Sequence, residues 1–451
     1  MTTSQTFSAE LIARMENVPF TRWHAKCRIV MGSATFFDAF SALSLAFALP
    51  VLTGLWHLSP RQNGVLIAAA YVGQLAGAFL FTGLAEKFGR VRSAAAAVAV
   101  IAVMSFGCAF AGSFSALLFC RLVQGIGIGG EMPVAAAYIS ELLQARGRGR
   151  FFLLYEIIFP VGLMAAGQAG AWLVPAWGWQ AIFLVGGVPC VLVTVLLARL
   201  PESPRWLISR GRLAEADAIV RQIEASAGYN SPATTAIPSD TVSGPSPGTH
   251  WAELLSEAYR GRTLVVWALW FCAFFVANGL NNWMPSLYNT VYRLDLRQSL
   301  RAASLTNVAQ VLLLLVCAFS VDRIGRRNWT AVCFILSAVL LGVLGLGGLR
   351  SVSSVIILAT LSYGIIGSAN AVLYLYTPEI YPTRMRAIGT GVATAWLRVA
   401  SALGPVLVGV MVGQNGIAPV FVMFAGVSIA GSLVAMGMIE TRKQRLEEIA
   451  R

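Results

Sequence analysis

Two short stretches decide the fold: Gly83-Leu84-Ala85-Glu86-Lys87-Phe88-Gly89-Arg90-Val91-Arg92 and, with its acid 236 residues further on, Asp322-Arg323-Ile324-Gly325-Arg326-Arg327. In each, an acid, a base, an apolar residue, a glycine and an arginine follow in that order after an apolar run. A second pair agrees. Glu141 with Arg146 and Arg148, and Glu379 with Arg384 and Arg386, repeat at an offset of 238. Two independent matches at nearly one offset indicate an internal duplication, so the apolar runs around them should build two equivalent bundles.

The composition says what kind of bundle. The 451 residues are 57% hydrophobic and only 12% charged, whereas a soluble chain carries about a quarter charged residues. A spanning helix needs roughly 20 mostly apolar residues. The sequence offers twelve such runs, at 29–52, 63–84, 94–112, 115–139, 150–173 and 181–199, then at 264–287, 303–320, 330–349, 354–376, 388–412 and 417–439. The expected fold is an all-α membrane protein of twelve transmembrane helices in two six-helix halves. Its expected domains are an N-terminal segment (1–28), a first bundle (29–200), a linker (201–262), a second bundle (263–440) and a tail (441–451). The linker opens on Pro201-Glu202-Ser203-Pro204-Arg205-Trp206-Leu207, continues into an amphipathic helix over 213–227, and becomes rich in Ser, Thr, Pro and Gly over 228–248. That last part is too poor in large apolar residues to pack a core.

A net charge of +13 would point to nucleic acid in a soluble chain, but its placement decides otherwise. Of the 33 lysines and arginines, Arg61, Arg293, Arg297, Arg301 and Arg350 fall on one side, Arg121 and Arg398 within apolar runs, and all others on the side of the linker and termini. This is the positive-inside pattern. It predicts cytoplasmic termini, a lipid bilayer as surroundings and no nucleic-acid partner. The polar start, Met1 to Lys26, lacks the apolar core of a signal peptide and is expected to be retained. The seven cysteines form no CxxC or His-paired cluster, so neither disulfide nor metal is implied.

Some motifs are refused. Gly125-Ile126-Gly127-Ile128-Gly129-Gly130 contains GxGxxG, but inside an apolar helix with no preceding strand it is not a dinucleotide site. Its small residues, with Gly73 and Gly77, should let helices approach closely. No GxxxxGK[ST] occurs, and His24, His57 and His250 assemble no catalytic triad. An ATP-driven pump or an enzyme is therefore not expected, and no cofactor is implied beyond a proton gradient.

The duplicated loops resemble the signature loops of the major facilitator superfamily, with Glu86 where that family usually has aspartate. Pro201–Leu207 and Pro378-Glu379-Ile380-Tyr381-Pro382-Thr383-Arg384 resemble motifs of its sugar-porter and organic-ion branches. Phe37-Asp38-Ala39-Phe40, Gly130-Glu131, Arg148-Gly149-Arg150-Phe151 and Glu156 are most similar to bacterial organic-acid, aromatic-acid and niacin proton symporters related to synaptic-vesicle-glycoprotein-like transporters. Ser41 stands where those relatives often carry a second aspartate. The resemblance implies alternating access in a bacterial inner membrane, acting as a monomer on a small molecule and protons.

Ionisable residues inside spans cost ~2.5–3.5 kcal/mol at mid-helix, so they face a cavity or a partner and are functional candidates. They are Asp38, Arg121, Glu131, Glu156 and Arg398. Asp38 and Arg398 each fall about ten residues into their helices, near mid-depth in opposite halves at about 1.5 Å per residue. Asp38 is the leading proton carrier, since a neutralised aspartate crosses an occluded state that a charged one does not; Glu131 and Glu156 are second candidates. Arg121 is either the counter-ion of Asp38 or a structural arginine. Arg398 is expected to hold an anionic substrate, unless it pairs with Asp38 or Glu156. Asn278 and Asn282, and Asn370 and Tyr374, are spaced four apart and share helix faces; with the flat rings of Trp283, Trp396 and Tyr155 they are the expected cavity lining. At the loops, Glu86, Arg90, Glu141 and Arg146, with Asp322, Arg326, Glu379 and Arg384, are the expected gate.

The expected function is proton-coupled uptake of a small organic acid anion, aromatic or a pyridine carboxylate such as niacin. A sugar or polyol porter is the first rival, although Asn278-Gly279-Leu280-Asn281-Asn282 does not resemble that branch's helix-seven motif. Outside the carriers stand a passive channel and a membrane sensor.

Overall fold

The computed structural model describes residues 3–142, 157–228, 251–347, 351–382 and 385–442. Among them the chain forms α-helices only, apart from one 3-10 turn at Trp251–Leu255. The first half contains α1 (Thr3–Asn17), α2 (Arg22–Leu55), α3 (Pro60–Phe88), α4 (Arg90–Ala109), α5 (Phe114–Leu142), α6 (Ile158–Trp177) and α7 (Gln180–Ala198). The linker contributes α8 (Pro204–Ser209) and α9 (Leu213–Ala227), and the second half α10 (Arg260–Thr290), α11 (Leu296–Ile324), α12 (Arg326–Leu346), α13 (Val352–Glu379), α14 (Arg386–Asn415) and α15 (Ala418–Ala435).

Eleven of these helices are long and apolar enough to cross a bilayer. The twelfth long helix of the expected set, α5, has 29 residues but carries Arg121, Gln124 and Glu131 along its length. Large apolar side chains such as Phe79, Phe319 and Leu346 remain exposed on the outside, as a lipid-facing surface requires. The chain is a multi-pass membrane protein.

Local chemistry sets the helix ends. Ser59 accepts the Gln62 N–H while the Gln62 side chain returns to the Ser59 N–H at 2.9 Å, a capping box that starts α3 with Pro60 in its first turn. Asp295 Oδ1 takes the Gln298 N–H at 2.6 Å to start α11. Both helices stop at a glycine of positive φ, Gly89 at 108° and Gly325 at 98°, where a side chain would be strained. In both halves, therefore, the duplicated glycine is the corner.

Within the first half α3 packs on α5, α4 on α5 and α7, and α2 on α6; within the second, α12 packs on α15, α10 on α14, and α11 on α13. The α3–α5 contact is an interlock of glycines. A Cβ at Gly73 or Gly77 would run into the Leu122 or Ile126 carbonyl, and one at Gly125 or Gly129 into that of Ala70 or Gln74. Close packing, rather than nucleotide binding, is what the glycine run of α5 provides.

The halves meet along α3–α14, α6–α11 and α2–α10. At the α3–α14 seam, a Cβ on Gly64 would lie 2.6 Å from the Pro405 carbonyl, and one on Gly409 would strike the Pro60 carbonyl. At the α6–α11 seam, Gln168 Nε2 donates to the Ser304 carbonyl at 3.5 Å, and the Arg301 guanidinium lies 4.9 Å from the Trp172 ring centre. Pro60, Arg301 and Trp172 all stand toward the end of the molecule remote from the linker.

The N-terminal segment holds a feature the sequence reading did not draw out. Leu11, Met15 and Val18 of α1 and its following turn are buried against Trp206, Leu207, Ala216, Val220 and Ile223 of the linker. Arg14 reaches Glu224 at 2.6 Å and Asp217 at 2.9 Å.

Candidate functional site

At mid-depth the structure brings Asp38 of α2 and Arg398 of α14 toward each other across the halves. Asp38 is 1% exposed and Arg398 8%. Among the described residues they form no ion pair; α5 lies between them, with the Gly129 carbonyl that Arg398 reaches two residues before Glu131, and Glu131 bonded to Thr35, one turn from Asp38. Asp38 Oδ1 has no hydrogen-bond partner among the described residues. Glu131 accepts a bond from the Thr35 hydroxyl at 2.9 Å. Arg398 donates to the Thr394 carbonyl at 3.0 Å and, weakly, to the Gly129 carbonyl of the other half at 3.5 Å; its Nε–H has no partner among the described residues. Its guanidinium keeps donor capacity for a carboxylate.

Arg121 forms no ion pair with Asp38 among the described residues. It donates to the Ser41 and Ala42 carbonyls at 3.1 and 3.3 Å and to Gln124 at 2.6 Å, and so ties α5 to the backbone of α2. The Ser41 carbonyl, not its hydroxyl, is the group used.

Above this layer, toward the end remote from the linker, amides and hydroxyls converge. Asn278 donates to Ser401 at 2.6 Å, one turn from Arg398 on α14. Asn282 donates across the halves to the Tyr71 hydroxyl at 3.0 Å. Asn281 donates to Asn307 at 3.3 Å, and Tyr363 to Gln310 at 2.9 Å. Tyr71, Asn281, Ser304, Asn307, Gln310, Tyr363 and Ser401 were not singled out from sequence, which weighted charges. The signal was present on α11, where Ser304, Asn307 and Gln310 recur every three residues and share one face.

The aromatic candidates divide. Tyr374 stands edge-on to Trp270 at 4.6 Å, and Asn370, 7% exposed, has an unpartnered Oδ1. Trp396 lies 5.8 Å from Trp267 and is 37% exposed. Trp283 is placed as packing: 2% exposed, it donates to the Pro405 carbonyl at 3.1 Å within the second half. Tyr155, Glu156, Arg146 and Arg384 lie outside the described residues.

The loop residues form two matching networks at the linker end. Arg90 bridges Glu86 at 2.8 Å and Glu141 at 3.1 Å; Arg326 bridges Asp322 at 2.8 Å and Glu379 at 3.3 Å. Each network has a further glutamate that sequence reading passed over. Glu202 accepts the Arg90 and Val91 N–H groups at 3.0 and 3.2 Å, and Glu440 those of Arg326 and Arg327 at the same two distances. A carboxylate on the first N–H groups of a helix satisfies orphan donors and opposes the helix dipole. Burial pushes the Glu202 carboxyl up from its ordinary value, and the Ser203, Val91 and Arg90 N–H groups pull it back.

Glu202 and Glu440 are 238 residues apart, the offset already seen for Glu141 and Glu379. So are Tyr138 and Tyr376, and the residues they bind, Pro201 and Ile439. Tyr376 accepts the Ile439 N–H at 3.0 Å, whereas Tyr138 donates to the Pro201 carbonyl at 2.8 Å. Proline has no N–H to give, so the same tyrosine serves with its bond reversed. Among the described residues, every ion pair of these networks stays within its own half.

Two helical bundles meeting around a buried, charged mid-depth layer define a polytopic membrane carrier. The chain belongs to the family described as Sugar (and other) transporter, which matches residues 29–451. It is 33% identical to the Niacin transporter NiaP of Acinetobacter baylyi over 98% of this chain and 99% of that protein. It is 26% identical to the Synaptic vesicle 2-related protein of Xenopus laevis, over 99% of this chain and 83% of that one. Among solved structures, a partially occluded inward-open xylose transporter XylE from E. coli superposes with a TM-score of 0.75 at 18% identity, covering 94% of this chain and all of the other. The protein is a transporter of the major facilitator fold, not an enzyme.

Proposed function

We propose that this carrier takes up a small organic acid anion, a pyridine carboxylate such as niacin, together with a proton. The supporting observation is the mid-depth pair: a buried aspartate with an unpartnered oxygen in one half, facing a buried arginine with unused donor capacity in the other. Arg398 binds the carboxylate and Asp38 carries the proton, so both charges are neutralised when the carrier reorients. Charge left unpaired at mid-depth is costly, and this coupling removes the cost only when both ligands are aboard. The relative named as a niacin transporter supports the substrate class.

In this reading the linker, tail and N-terminal segment are cytoplasmic, and the remote end, where the halves touch, is outside. In this conformation the seams at the remote end are closed. The two loop networks latch the cytoplasmic side only in the opposite state, with Arg146 and Arg384 as further partners.

A sugar carrier remains the second reading, favoured by the neutral amides Asn281, Asn307 and Gln310, which suit hydroxyl groups. Uptake of labelled nicotinate, benzoate and xylose into liposomes, with and without an inward proton gradient, separates the two. Nicotinate accumulation that requires the gradient, with Asp38→Asn abolishing accumulation and Arg398→Ala reducing initial rate ~10–100-fold for one lost charge-assisted contact, is the expected result. Xylose flux, or nicotinate equilibration indifferent to Asp38, overturns it.

A further inference from the structure

The donor side of the Asn282 amide is fully committed in this conformation. Its Nδ2 donates to Tyr71 across the halves at 3.0 Å and to the Asn278 carbonyl, one turn back, at 2.9 Å. A carboxamide nitrogen has two hydrogens, and the residue is 4% exposed. A substrate atom approaching from the mid-depth layer finds no free proton on Asn282 unless Tyr71 has left.

Whether Tyr71 leaves depends on the seam. It stands on α3, the helix whose Gly64 and Pro60 close against Pro405 and Gly409 of α14. Asn282 stands on α10, which packs on the same α14. The Tyr71–Asn282 bond therefore exists only while the remote end is shut. Separating α3 from α10 breaks it and frees one donor, one turn above the Asn278–Ser401 pair.

We propose that Tyr71 and the transported substrate take turns on the Asn282 amide. With the remote end open, the amide donates to an acceptor on the substrate, such as a ring nitrogen. When that end closes, Tyr71 takes over the donor, the substrate loses one hydrogen bond, and its hold weakens on the side from which it must depart. No buried donor is stranded at any stage, because one neutral bond replaces another. This handover rests on the carrier reading and makes Tyr71 a positioning residue that biases the direction of release.

The test compares half-saturation constants for influx and efflux of labelled nicotinate in liposomes of fixed protein orientation. Tyr71→Phe keeps the ring and removes only the hydroxyl. It is expected to tighten half-saturation from the linker-facing side roughly 5–10-fold, the worth of one neutral hydrogen bond, to slow net uptake, and to leave half-saturation from the remote side unchanged. Asn282→Ala is expected to weaken the remote-side constant by a similar factor, and Tyr71→Phe to add nothing in its background. Equal shifts on both sides, no shift, or additive effects of the two changes overturn the handover while leaving the carrier reading intact. Wild-type protein that moves no carboxylate overturns both.

Discussion

The two ends of the molecule hold themselves together by opposite means. At the linker end the contacts centre on carboxylates, stay within each half and come in duplicate: the Arg90 guanidinium with Glu86 and Glu141 and its N–H with Glu202, and the Arg326 guanidinium with Asp322 and Glu379 and its N–H with Glu440. At the remote end the contacts cross between halves and differ from seam to seam: backbone packed on glycine at α3–α14, an amide and a cation over a ring at α6–α11. The difference teaches where stability and motion are stored. In this conformation the duplicated networks brace each bundle from within, and the cross-half seams are what a moving carrier must make and break.

Changes at the cross-half seam should then alter transport, and changes at the duplicated networks stability. The largest effect is expected from Gly409→Leu, which drives a side chain into the Pro60 carbonyl and Trp283. Overpacking costs ~1–3 kcal/mol, and its larger part, against Pro60 of the other half, arises only in the closed state, so uptake should fall about tenfold while thiol labelling at the remote end rises. Gly413→Leu, whose nearest neighbour is Pro60 at an ordinary 3.8 Å, is the control; an equal loss there would break the seam argument.

Next come Glu202→Ala and Glu440→Ala. Each leaves the first N–H groups of a helix without their acceptor and should lower stability by ~1–2 kcal/mol, read as a loss in melting temperature in detergent. The duplication requires the two losses to match; a loss in one half only would break the equivalence. Arg14→Ala should cost about 1 kcal/mol, since its ion pairs are partly exposed, and leave the half-saturation constant for uptake unchanged, which would place α1 among the stabilising elements. The smallest effect is expected from Trp172→Ala, which removes an exposed cation–π contact worth ~0.5–1 kcal/mol. It should shift the remote end toward opening by a few-fold, measured by the same labelling.

The fold was legible because membrane helices and duplicated loops are both written locally. Twelve apolar runs and one repeated offset need no tertiary information, and the long helices mostly extend past the expected runs at one or both ends, as α2 does from 29–52 to Arg22–Leu55. The site was legible only where charge marked it. Asp38 and Arg398 stood out because charge is expensive in an apolar run, and depth counting paired them. Tyr71 and Ser401 did not, since a lone hydroxyl in a spanning helix is common and its meaning lies in a partner 211 or 123 residues away. Glu202 lay in a quoted motif, and its role needed the matching offset of Glu440. The docking of α1 was written in the spacing of Leu11, Met15 and Val18, but a short amphipathic stretch does not name the surface it will cover.

The glycine interlock of α3 and α5 has a mechanical consequence. With four backbone contacts and no side chain between them, these two helices turn as one beam, and α3, at 29 residues, is about 43 Å long at 1.5 Å per residue. A rotation of about 10° around its middle swings each tip by roughly 4 Å, more than the span of a hydrogen bond. Gly64 and Tyr71 ride on one arm of that beam and Glu86 on the other, so a tilt that pries open the seam at the far end sweeps the charged loop at the near end the opposite way.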